Sequence, residues 1–365
     1  MLKTPDNIRE LQRKLYRKAK QEKGYRFYLL YDKVYRSDIL NHAYRLVKAN
    51  KGASGIDGET FRSIEEREGG AEKYLEEITG ALKRKDYKPQ AVRRVYIPKA
   101  AGGKLIQLVA KRIVDKQILK LIKMWLKAAI VEEREDGKKE YEGNEKGTPQ
   151  GGVISPLLAN IYLNVLDTLW VVKKVQERLG ARLVNYADDC VILCRGNANR
   201  ILNGVKLVLE DLGLTLNDEK TRVVDARQES FNFLGFSMGM KRGKRSGKMY
   251  PHTEPSKKAL KHIRSEIKQL TTERYSAIPT EVIRRVNEVA RGWVGYFRFG
   301  NCTQTLSVFK RYLVYRMRIY LRRKHHYRSF GYKAYPDRYF YDSLGLYEVP
   351  TTVPWVQNAK ASGGR

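Results

Sequence analysis

The chain has 365 residues, 42% of them hydrophobic, and carries 72 Lys and Arg against 40 Asp and Glu, a formal charge of +32. That apolar content excludes a disordered chain, and folding alone gives no reason for so large a positive excess. A polyanionic partner does: nucleic acid is the commonest, an anionic membrane surface the rival, and basic clusters interleaved with Tyr, Trp and Phe favour nucleic acid. Cys190, Cys194 and Cys302 make no C-x-x-C pair and no disulfide framework, which suits a reducing compartment. The start MLKTPDNIRE has no apolar h-region, and no run approaches the roughly 20 apolar residues of a membrane span, so a cytoplasmic, soluble protein is expected.

In chain order, residues 7–48 read as helical, with Leu11, Leu15, Leu29, Ile39 and Leu40 among many cations. KGASGIDGETF (51–61) is turn-like, Ala71–Leu82 reads as a helix, and AVRRVYIPKAAGGK (91–104) as a strand with a following turn. Helical periodicity returns over 105–131, including Asp115. A polar connection then leads into VISPLLANIYLNVLDTLW, where Ser155 is the expected N-cap and Pro156 the first helical residue. The expected apolar face is Leu157, Leu158, Ile161, Tyr162, Val165, Leu166 and Leu169. Residues 198–212 read as helix and 231–239 as strand. From 241 to 330 there are 23 Lys and Arg against 5 Asp and Glu, and three helical patterns near 256–273, 279–297 and 303–324.

Two stretches carry chemistry. ARLVNYADDCVILCRG (181–196) sets Asp188 and Asp189 between two apolar strands. Asp is a poor strand residue, so the pair is either an ordinary Asp-rich turn or a carboxylate site whose repulsion a divalent cation relieves. Mg²⁺ takes one or two carboxylates and completes its shell with water and phosphate oxygens, which suits phosphoryl transfer. EGNEKGTPQGGVISPLLANIYLN is a glycine-rich loop entering a helix, where the backbone at Gly147, Gly151 and Gly152 can approach a ligand and a helix N-terminus favours phosphate.

GTPQGGVISPLLANIYLN followed by YADD resembles the reverse transcriptases encoded by group II introns. GIDGETF (55–61) and YKPQAVRRVYIPKAAGGK (87–104) resemble that family's N-terminal extension and fingers, FNFLGF (231–236) its primer grip, and VNEVARGWVGYFRFG (286–300) its thumb, the maturase or X domain. The resemblance implies an α+β right-hand polymerase of fingers, palm and thumb, with a basic helical thumb. Its expected divisions are an N-terminal extension with partial fingers at 1–104, a palm with the YADD hairpin at 105–240, a thumb/maturase domain at 241–330 and a tail at 331–365. It implies RNA-directed DNA synthesis with a two-ion Mg²⁺ site, maturase action on intron RNA, and DNA primer and dNTPs as further partners. No membrane partner is expected, and the location is the bacterial cytoplasm or an organelle. Asp188 and Asp189 are the implied metal ligands. Arg93, Arg94, Lys99, Gln150, Gly151 and Lys220 are the implied nucleotide and template contacts, and Leu234 and Gly235 the primer grip. Lys257, Lys258, Lys261, Arg264, Arg291 and Arg298 are the RNA contacts expected on the basic module. Trp293, Tyr296 and Phe297, spaced i, i+3, i+4, are expected to pack the module.

One part of the pattern is missing. The family places a further metal-binding aspartate, in a pattern like F-x-x-F-D, between the fingers and the PQG loop. Between Pro98 and Gly147 this chain has only Asp115 and Asp136. A sequence around S-Y-G-F-R-P is missing as well. A contiguous block with a metal ligand, the sugar gate and part of the fingers is thus absent, through a degenerate gene, an engineered deletion or a joined sequence. Two alternatives stay open: an RNA-binding splicing cofactor with a vestigial polymerase site, and a domesticated reverse transcriptase in defence or repair.

Overall fold

A computed structural model describes residues 2–50, 58–90, 92–93, 102–128, 130–133, 139–142, 153–187, 189–243, 246–272 and 278–353. The chain divides into two compact units, 1–221 and 222–365.

The first unit contains helices α1 (Asp6–Gln21), α2 (Tyr31–Val34), α3 (Ser37–Ala49), α4 (Phe61–Glu66), α5 (Gly70–Arg84), α6 (Gly102–Ala110), α7 (Lys116–Lys127), α8 (Ser155–Val172), α9 (Val175–Leu179) and α10 (Ala198–Asp211). Its strands are β1 (Val92–Arg93), β2 (Ile130–Glu133), β3 (Lys139–Glu142), β4 (Arg182–Tyr186) and β5 (Asp189–Leu193). β1–β2–β3 form one small sheet and β4–β5 an antiparallel hairpin. Leu105, Val109, Ile122, Leu126, Leu158, Tyr162 and Leu212 make the core joining α6, α7 and α8. A second cluster, Leu166, Val205 and Leu209 with Trp170, Leu183 and Ile192, fastens the hairpin to α8 and α10.

The helix expected over 105–131 is broken at 111–115, because Phe27 bridges to Ile113 and Asp115 caps the new helix α7. Asp115 is only 7% exposed. It accepts from the backbone N–H groups of Leu30 (2.8 Å), Tyr31 (2.9 Å), Gln117 (3.0 Å) and Ile118 (3.3 Å). Helix α8 begins at Ser155, with Ile154 in the capping position and Pro156 inside the first turn. Leu158, Tyr162 and Leu166 are buried as a face should be, whereas Leu157 is 58% exposed. α8 is also long and apolar enough, by length and composition, to cross a membrane, which a search for runs of 20 passes over. Asn160, Asn164 and Asp167 interrupt its apolar surface, and its three buried residues, Leu158, Tyr162 and Leu166, pack into the two clusters above.

The second unit has strands β6 (Phe231–Phe233), β7 (Phe236–Arg242) and β8 (Met249–Pro255) in an antiparallel sheet. Helices α11 (Lys257–Leu270), α12 (Pro279–Phe297) and α13 (Thr303–Lys324) follow, then a π-helical turn at Tyr339–Ser343. Ser256 caps α11 through Ala259 N–H, and Pro279 opens α12, as these residue types do at helix starts. Ile263, Ile267, Val286, Val294, Phe309, Met317, Tyr320 and Phe340 build one core of three helices and the C-terminal segment. Two arginines of α13 are buried in it. Arg316 donates to Thr271 Oγ1 (2.9 and 3.1 Å) and Thr272 Oγ1 (3.0 Å).

Candidate functional site

The hairpin that carries YADD has a two-residue turn. Tyr186 pairs with Asp189 across it, and Ala187 takes φ +52°. A positive φ here matches the right-handed strand twist that two-residue turns follow. Side chains alternate along the strands, so Leu183 and Ile192 face the α8–α10 cluster while the Tyr186–Asp189 pair faces away. Tyr186 is 63% exposed, and Asp189 is exposed beside it. Asp188 lies outside the described residues.

Two bonds fix the hairpin to α8. Asn185 Nδ2 donates to Asp167 Oδ1 at 2.6 Å, and Trp170 Nε1 donates to the Ala181 carbonyl at 2.9 Å. Sequence reasoning missed both: Asp167 reads there as one polar residue in an apolar helix, and nothing local signals its partner. All three cysteines are free thiols.

The donor set suits one hard cation, since two adjacent carboxylates meet the protein share of a Mg²⁺ shell. Among the described residues no group of three or more His, Cys, Asp or Glu could hold a metal. Asp115 is not available as the missing ligand, because four backbone N–H groups occupy its two oxygens. Burial raises its pKa, and those four donors outweigh the burial and hold the carboxyl below its ordinary range. Asp136, the other candidate, lies outside the described residues.

The remaining expected contacts are spread out. Arg94, Lys99, Gln150 and Gly151 lie outside the described residues, and Arg93 is placed by its backbone alone, in β1. Lys220 is exposed in a turn where Asn217 Oδ1 accepts its N–H at 3.1 Å. Leu234 and Gly235 form the β6–β7 turn, with φ +50° and +80°. The turn is tied to α12: Tyr296 Oη donates to the Leu234 carbonyl at 3.1 Å, and a Cβ on Gly235 would lie 3.2 Å from the Phe297 ring. Trp293 and Phe297 pack as expected, with ring centroids 4.8 Å apart, while Tyr296 stays half exposed.

On the basic module, Lys257, Lys258 and Lys261 stand exposed on α11 opposite buried Ile263 and Ile267. Arg264 shares their helix but is half buried against the Tyr312 ring (5.4 Å). Arg291 and Arg298 are exposed on α12 and its cap, with Arg291 over Tyr347 (4.6 Å) and Arg298 over Phe299 (5.6 Å). The module therefore presents a lysine face and arginines laid on aromatic rings, a surface suited to phosphates and bases.

Comparison with known families agrees with this layout. The family model for reverse transcriptase (RNA-dependent DNA polymerase) matches residues 103–238, and the one for the group II intron maturase-specific domain matches 260–340. Together they take in more than half of the chain. The group II intron-encoded protein LtrA of Lactococcus lactis is 27% identical over 239 residues, covering 48% of this chain and 39% of LtrA. The putative COX1/OXI3 intron 2 protein of Saccharomyces cerevisiae is 27% identical, covering 37% of this chain and 21% of that protein. This chain thus spans about two fifths of LtrA's length. The LtrA alignment runs over 239 positions, whereas 48% of 365 residues is about 175, so some aligned LtrA residues have no counterpart in this chain. The structure of apo telomerase from Candida tropicalis is 14% identical with a TM-score of 0.34, over 92% of this chain and 61% of that one, a likeness too slight to build on. The α+β right-hand polymerase class stands on the reverse transcriptase match. With a YADD hairpin in the first matched region and a basic three-helix module in the second, the chain belongs to the family of group II intron-encoded reverse transcriptases and maturases.

Proposed function

We propose that this chain acts on RNA as a group II intron-type RNA-directed DNA polymerase and maturase, binding intron RNA through its second unit. The observation that carries this reading is the succession, in one chain, of a reverse transcriptase region and a maturase-specific region, with Asp189 at a hairpin turn in the first and exposed lysines on α11 in the second. Asp188 and Asp189 would hold Mg²⁺, which when bound assists deprotonation of a primer 3′-hydroxyl and stabilises the pyrophosphate of an incoming dNTP. Lys220 would sit toward that pyrophosphate, Arg93, Arg94 and Lys99 toward triphosphate or template, and Gln150 and Gly151 would shape the pocket. Leu234 and Gly235 would steady the DNA primer. A cytoplasmic or organellar location goes with this reading.

A specific observation favours a second reading for the chain as it stands: an RNA-binding splicing cofactor with a vestigial polymerase site. Asp115, one of two candidates for the third carboxylate, is used up as a helix cap. Loss of a metal site removes several kcal/mol of transition-state stabilisation, so DNA synthesis should fall by orders of magnitude while RNA binding stays. Primer extension on an RNA template in Mg²⁺, beside Asp188→Ala and with RNA binding followed in the same samples, separates the two.

A further inference from the structure

The last residues of α13 and the loop that leaves it have a composition of their own. RRKHHYRSFGYK, residues 322–333, contains five Lys or Arg, three aromatic residues and no carboxylate. Phe330 is 79% exposed and Tyr332 60%, on either side of Gly331, and Tyr327 is also exposed. Large rings gathered at the surface are expensive in water and mark a place where something else covers them.

The backbone between Phe330 and Tyr332 is held in position. The Ser329 hydroxyl accepts the Gly331 N–H at 3.2 Å, and the Gly331 carbonyl accepts the Tyr335 N–H at 2.8 Å. Gly331 has φ +78°, and a Cβ there would lie 3.5 Å from both the Arg318 side chain and the Tyr335 ring. The loop thus lies close on Arg318, which is buried. Arg318 donates to the Tyr335 carbonyl at 3.0 Å, pairs with Asp337, and stands 4.3 Å from the centre of the Tyr332 ring. Tyr332 is therefore backed by a guanidinium, with much of its surface left to solvent.

We propose that Phe330 and Tyr332 form a stacking platform for unpaired bases of an RNA strand, whose phosphates run along Arg322, Arg328 and Lys333. This deepens the RNA-binding reading above and rests on it. Aromatic faces bind bases of any sequence, and lysine and arginine beside them take the backbone. The carboxylate-free loop supplies the charge complementarity. A duplex hides its base faces and gains nothing from a fixed ring. An anionic membrane would accept any apolar side chain in any orientation, whereas a ring fixed by a buried arginine favours a flat partner.

The test uses the whole chain and three probes: single-stranded oligouridylate, an RNA duplex of equal length, and vesicles of phosphatidylglycerol and phosphatidylcholine. Tyr332→Ala should weaken oligouridylate binding by about five- to a hundred-fold, and Phe330→Ala by a similar factor, from the usual worth of one stacked base. Tyr332→Phe should bind as the parent does, and duplex affinity should not move in any ring variant. Arg328→Ala with Lys333→Ala should lower the slope of log affinity against log salt by about 1 to 2. Unchanged oligouridylate affinity in Phe330→Ala and Tyr332→Ala chains that melt like the parent would overturn the platform while leaving the RNA reading intact. Ring variants that lose only vesicle binding would overturn it in favour of a membrane face. A parent chain that binds no RNA at all would overturn both.

Discussion

Replacing Asp115 by alanine removes one carboxylate that four backbone N–H groups share. Two of these, Gln117 and Ile118, open α7, and losing such a cap costs about 1 kcal/mol. The other two, Leu30 and Tyr31, belong to the segment that the carboxylate pins from 84 and 85 residues away in sequence. Left without an acceptor in a site this buried, they cost about 1–3 kcal/mol more. The first unit should therefore lose about 2–4 kcal/mol, which for a unit of this size lowers its melting temperature by about 5–15 °C. Asparagine keeps one oxygen but turns an amide NH₂ toward the other pair of donors, so Asp115→Asn should melt near the alanine variant. The sign with pH follows from the lowered pKa. The carboxylate's contribution is present above the unfolded value of 3.8 and is lost as pH falls through the folded value. Thermal unfolding by circular dichroism measures the first effect, repeated in acid for the second. A parent-like melting temperature in Asp115→Ala, together with altered Mg²⁺ dependence, would refute the structural role and return Asp115 to the list of metal ligands.

Other outcomes follow from the second unit. Gly235→Ala places a side chain at φ +80° and 3.2 Å from Phe297, and should cost about 1–2 kcal/mol in unfolding measurements. Replacing Lys257, Lys258 and Lys261 together by alanine should weaken RNA binding without changing stability, and should reduce the salt slope by about 2 to 3. A slope that stays at the parent value would remove the lysine face from the interface.

The sequence carried the hairpin clearly, because two apolar strands joined by a short turn leave one register in which Leu183 and Ile192 face inward. The three helices of the second unit were equally plain from their spacing. Asp115 was misread as mid-helix. KRIVDKQIL keeps a helical apolar rhythm through the break, and the partners that make Asp115 a cap and a pin include Leu30 and Tyr31, remote in sequence. Charge counts misled in a similar way. Arg316 and Arg318 add to the basic total, yet both are buried and spent on hydroxyls, a carbonyl, a carboxylate and rings, and nothing local distinguishes them from the exposed arginines beside them. The Asn185–Asp167 tie joins a strand to a helix and has no signature in either.

The most direct test of the account is primer extension on an RNA template by the 365-residue chain in Mg²⁺, alongside Asp188→Ala, with RNA binding measured in the same samples. Tight, salt-sensitive RNA binding in both proteins, with Mg²⁺-dependent extension by the parent that is lost in Asp188→Ala, is the result the polymerase and maturase reading predicts. RNA binding with no extension by the parent beyond that of Asp188→Ala would contradict it and leave the splicing cofactor with a vestigial polymerase site.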